Sequence, residues 1–133
     1  MVFDAWAIIA YFKAESPAME RVAALLHQAV DGQITLFMSL LNLGEVYYIL
    51  GRIKNQTFAK EALARLRSLP INLIAVDEAT VLQAATYKMS YPISYADAFA
   101  LSAAIQLQAT LVTGDPEFQR LTDLVEVEFL QRA

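Results

Sequence analysis

ISYADAFALSAAIQLQATLVTGDPEF, residues 93–118, is the stretch whose reading decides the fold. Ser94 stands where an N-cap belongs, and the helix it opens runs to about Gln108. From Ala98 to Gly114 no charged residue occurs. A helix apolar on every side belongs in a core rather than on a surface. A short strand, 110–112, follows it, and Asp115 with Pro116 opens another helix. A buried helix feeding an apolar strand is the unit of a parallel sheet covered on both faces. One acid, Asp97, falls in the first turn of that helix, and another, Asp115, just past the strand.

Outward from this stretch the same alternation continues. Residues 1–3 read as a short strand, and 6–13 and 17–30 as helices, the second with Ser16 as N-cap and Pro17 at its first position. Residues 34–38 form a strand. Ser39 caps a helix to about Leu50, and a further helix reaches about Ser68. Residues 71–76 form a strand, Asp77 caps the helix after it, and 124–128 are the last strand. The expected architecture is α/β, a three-layer α/β/α sandwich on a parallel sheet of about five strands, in one domain over 1–133. In such sheets ligands collect beyond the carboxyl ends of the strands, where the winding direction switches.

Composition narrows the chemistry. With no cysteine, thiolate metal sites and thiol nucleophiles are excluded. The single histidine, His27, falls on the polar side of its helix with Glu20 and Asp31, away from Val22, Leu25, Leu26 and Ala29, and reads as a solvated residue. Histidine-rich zinc sites are thereby excluded. A net charge of -4 gives no broad basic surface for nucleic acid, but suits a site where metal ions meet a phosphate. The N-terminus lacks the pattern of a secretory signal, and the uncharged run from Ala98 falls short of the roughly 20 residues of a membrane span. A cytoplasmic location is expected. A hydrophobic content of 57% suggests that a partner or second copy covers part of the surface, with helices 17–31 and 39–68 presenting the groove.

Four acids stand at or near strand ends or on facing helices. Asp4 follows the first strand, where a helix cap would explain it equally well. Glu45 sits among Leu41, Asn42, Tyr48 and Ile49, and Asn42, three residues earlier, shares its face. A carboxylate in apolar company calls for a partner or a cation. Asp97 lies at nearly a capping-box distance from Ser94, and Asp115 before Pro116 is an ordinary helix start. Asp77 looks similar but reads as a cap alone. If the four converge, each pair about 5 Å apart costs about 3 kcal/mol at an effective dielectric near 20, so protons or cations must relieve the repulsion. Oxygen ligands without sulfur or imidazole select a hard ion, magnesium or manganese.

The motifs VFDAW (Asp4), NLGE (Asn42, Glu45), SYADA (Ser94, Asp97) and VTGDPEF (Thr113, Asp115), in this order over essentially the whole chain, resemble the PIN domain, and within it the ribonuclease toxins of VapBC toxin–antitoxin pairs. The resemblance implies a parallel sheet of order 3-2-1-4-5. It implies Mg2+ or Mn2+ held by Asp4, Glu45, Asp97 and Asp115, with Asn42, Ser94 and Thr113 in support. The implied activity is endonucleolytic hydrolysis of RNA by metal-activated water, with a cognate antitoxin that occludes the site and a homodimer as the common assembly. One departure is Ala5, where the family usually carries a serine or threonine after the first acid. It motivates an alternative, a catalytically weak PIN-like module that binds a protein or RNA. A phospho-acceptor receiver domain is disfavoured, because no lysine follows Lys88.

Overall fold

The computed structural model describes residues 1–132, so Ala133, the last residue of the expected domain, lies outside the described residues. Five strands, β1 (Val2–Phe3), β2 (Leu36–Ser39), β3 (Ile71–Ile74), β4 (Leu111–Thr113) and β5 (Val127–Phe129), form one sheet of order β3-β2-β1-β4-β5. Every neighbouring pair is parallel. The sheet is thus the one expected, with its switch point between β1 and β4, the strands that begin two runs of opposite direction.

Helices cover both faces. On one lie α1 (Ala5–Phe12), α2 (Ala18–Val30), α3 (Leu40–Ile53) and α4 (Gln56–Ser68). On the other lie α5 (Glu78–Ser90) and α6 (Tyr95–Leu107). Strand alternation divides the core between them. Phe3, Leu36, Met38 and Val112 point to the first layer, and Val2, Phe37 and Leu111 to the second. α6 is buried continuously from Ala98 to Ala104, and its small residues let it lie close against the sheet and α5. This is the physical meaning of its missing polar face. Among the described residues no helix is long and apolar enough to cross a membrane.

Several boundaries differ from expectation. Ser16 does not cap α2: its hydroxyl donates to Glu20 Oε1 at 2.6 Å, and Pro17 precedes the helix without a side-chain cap bond. The helix after Ser39 runs beyond Leu50 to Ile53, because the break comes at Lys54 and Asn55, whose Oδ1 accepts the Phe58 amide at 2.7 Å. β2, β4 and β5 each end one residue later than read, and the ladders explain it: Ser39 pairs with Ile74 and Thr113 with Phe129. A following 3-10 turn, Pro116–Leu121, is capped by Asp115. His27 is exposed, as expected.

Candidate active site

β1 is only two residues long, so the chain leaves the sheet at Asp4, with α1 starting at once. Asp4 is 2% exposed. Its Oδ1 accepts the Ala7 amide at 3.0 Å and its Oδ2 accepts the hydroxyl of Thr113, the last residue of β4. The Thr113 hydroxyl in turn accepts the Asp115 amide at 3.0 Å. A side-chain relay therefore crosses the switch point from the end of β1 to the end of β4. The bonds from Ala7 and Thr113 favour the charged form of Asp4, but burial outweighs them and, with repulsion from Glu45 and Asp115, pushes its carboxyl up to about 7.

α3 and the start of α6 close the other side. Asn42, 1% exposed, donates through Nδ2 to Glu45 Oε1 at 3.2 Å and to the Ala96 carbonyl at 3.1 Å. One amide thus ties Glu45 to the residue before Asp97. The Asn42 Oδ1, equally buried, has no partner among the described residues. Burial raises the half-buried Glu45 carboxyl above its ordinary value, against the Asn42 bond, and Asp115 adds to the rise. Ser94 caps α6 as expected, its hydroxyl accepting the Asp97 amide at 3.1 Å. Burial first, then repulsion from Asp115, holds the Asp97 carboxyl well above its ordinary value.

The tightest grouping is Asp97, Asp115 and Glu117, each offering one oxygen within 4.8 Å of the others. Glu117 was not singled out from the sequence. Asp115 Oδ1 accepts the Glu117 amide at 2.9 Å, and this turn brings Glu117 back toward Asp97. The signal for it in the sequence is slight: an acid two residues after a capping aspartate. Of the seven residues expected at the site, Asp4, Thr113 and Asp115 are linked by hydrogen bonds, as are Asn42 and Glu45. Asp97 joins them through its repulsion with Asp115 and Asp4. Ser94 acts as the cap behind Asp97. Asp77 stands apart, its Oδ1 bonded to the amide and hydroxyl of Thr80.

At the rim, Trp6 lies flat on Gly114. A Cβ at Gly114 would fall 2.3 Å from the indole ring, so only glycine admits this approach. Arg132 sits over the same ring, 5.7 Å from its centroid, and its Nε donates to the Gly114 carbonyl at 3.3 Å.

The donor set fits a hard divalent ion. It is all oxygen, three of its carboxyls resist ionisation without a counter-charge, and a buried amide oxygen beside Glu45 is left unpartnered. A parallel α/β sandwich with clustered carboxylates beyond its strand ends, at the switch point, defines the class: an α/β protein built around an acidic pocket. The sequence profile of the PIN domain matches residues 1–124, and the chain belongs to that family.

Solved structures agree on the fold. VapBC2 of Rickettsia felis, bound to a DNA fragment from its promoter, is similar with a TM-score of 0.71 at 19% identity, over 98% of this chain and 100% of that one. VapC20 of Mycobacterium tuberculosis, described as a sarcin–ricin-loop-cleaving toxin, gives 0.72 at 17% identity, over 91% and 95%. VapBC-1 of nontypeable Haemophilus influenzae gives 0.66 at 23% identity, over 97% and 98%. No curated protein matches the chain by sequence.

Proposed function

We propose that this chain is a metal-dependent endoribonuclease, the toxin of a toxin–antitoxin pair, acting in the cytoplasm. The observation that carries the reading is the acidic cup itself, in which Asp97, Asp115 and Glu117 offer oxygens within 4.8 Å of one another and the Asp4, Glu45 and Asp97 carboxyls are held above their ordinary range. Membership of the PIN family and likeness to toxin–antitoxin structures support it.

In this reading Asp4 and Asp97 hold the ion, and Asp115 completes the pocket or a second ion site. Mg2+ or Mn2+, when bound, would neutralise the cup and acidify a water for attack at phosphorus. Asn42 fixes the direction of Glu45, which orients the reacting water or accepts its proton. Thr113 keeps Asp4 turned inward. It supplies Asp4 with a hydroxyl donor although Ala5 cannot, which weakens the alternative of a binding module without catalysis. The partners are an RNA substrate, a cognate antitoxin and a second copy of the chain.

The test is RNA cleavage with Mg2+ or Mn2+ by the wild type and Asp97→Asn. A loss of at least about a hundredfold is expected in the variant, and equal cleavage rejects the assignment. Titration calorimetry with Mn2+ separates the alternative, because a scaffold without a metal site takes up no ion.

A further inference from the structure

Beside the acidic cup lies a cavity of about 310 Å³, lined by Pro92, Pro116, Glu117, Gln119 and Arg120. Its walls continue the segments that carry the acids. Pro92 stands in the loop leading to Ser94 and Asp97, and Pro116 directly follows Asp115. Glu117 belongs to both the cavity and the acid grouping with Asp97 and Asp115. A molecule in the cavity is therefore contiguous with any phosphate held at the cup.

The lining has a definite chemistry. Two proline rings offer flat apolar faces of the kind that cover a nucleobase. The Gln119 amide carries both donors and an acceptor, the set needed to read a base edge. Arg120 is exposed and, among the described residues, makes no ion pair. Its guanidinium is free to bond a phosphate or stack on a base. The volume stands at the lower end of small-ligand sites, about 300–1,000 Å³. With a net charge of -4, local contacts such as these are the means by which an RNA strand would be held here.

We propose that this cavity is a nucleotide subsite, taking one unpaired residue of single-stranded RNA adjacent to the scissile phosphate, with Arg120 on its phosphate and Gln119 on its base. The assignment rests on the nuclease reading for the position of the scissile bond. A base inside a duplex cannot enter, so the subsite also selects single-stranded over paired RNA.

The experiment compares wild type, Arg120→Gln, Gln119→Ala and, as a charge control on the opposite layer, Lys60→Gln. Steady-state cleavage of a mixed-sequence single-stranded RNA in Mg2+ is read alongside photo-crosslinking of a 4-thiouridine-substituted copy in chelator, where no cleavage occurs. Thermal melts confirm that each variant folds. KM should rise about tenfold in the two cavity variants with kcat within about twofold, and stay unchanged in Lys60→Gln. Crosslinks should map to residues 116–121 and disappear with Arg120→Gln. Unchanged KM and crosslinks elsewhere overturn the subsite while leaving the nuclease intact. Displacement of the crosslinks by inorganic phosphate as readily as by unlabelled RNA overturns it as well, reducing the cavity to an anion site. Arg120-dependent crosslinks in a protein that never cleaves uphold RNA binding here and overturn the nuclease reading instead.

Discussion

Asp4 concentrates the conflict on which the site is built. Its carboxyl is raised because burial opposes charge, and Glu45 and Asp97 are raised for the same first reason. A raised carboxyl contributes stability that is complete below its unfolded value, near 3.8 for Asp4, and lost as pH climbs through the folded value near 7. The metal-free protein should therefore melt several degrees lower at about pH 8 than at about pH 5 in chelator. Asp4→Asn, which keeps the cap acceptor and removes the charge, should flatten that slope and abolish cleavage; thermal melts across pH check it. Gly114→Ala should cost about 1–3 kcal/mol, since the added methyl collides with Trp6, and should lower activity by moving Asp115. At this scale the expected gathering of Asp4, Glu45, Asp97 and Asp115 is matched by their mutual repulsion in the structure, although Asp4 and Asp115 each read equally or better as helix caps when taken alone. Glu117 was not legible, because only the turn made by the Asp115 cap directs it inward. Nor was the contact of Trp6 with Gly114, which joins residues distant in sequence.

Caps set the elements. Asp4, Ser39, Asn55, Asp77, Ser94 and Asp115 each accept an amide in the first turn of the helix that follows. Asn55→Ala should cost about 1 kcal/mol and leave cleavage unchanged, because α4 packs chiefly on α3 and carries none of the acids of the cup; urea unfolding with an activity assay checks both. Helix existence and order were readable from these caps, Asn55 excepted, and from apolar spacing. Strand ends were not, because a strand persists as long as its neighbour offers a partner, and Ser39 and Thr113 find theirs in Ile74 and Phe129. Ser16 misled for a related reason: its hydroxyl had a nearer acceptor in Glu20 than the helix amides.

For the molecule as a whole, any ion or partner that binds the folded chain is coupled to its stability. Saturating Mg2+ or Mn2+ at neutral pH should raise the melting temperature of the wild type, by about 2.7 kcal/mol of stabilisation at a hundred times the dissociation constant, and leave Asp97→Asn unmoved. Differential scanning calorimetry checks it. On the helices expected to face a partner, Val30, Tyr48 and Ile53 are exposed. The most exposed large apolar side chain, however, is Met89 at 84%, with Leu82 at 58%, both on α5. Composition counted the surplus; only the sheet topology decides which helix carries it outward. Light scattering should find a dimer, and Met89→Glu should shift it toward monomer if α5 is the covered face.

The segment that returns along β4 has a consequence of its own. Leu130 donates its amide to the Thr113 carbonyl at 2.7 Å, and Arg132 clasps Gly114 against Trp6. These few residues brace the backbone from which Thr113 and Asp115 reach the cup, and Leu130, buried in the core of the first layer, anchors them there. In the nuclease reading, proteolysis after Phe129 would thus act as a silencer, stripping Thr113 and Asp115 of their backing.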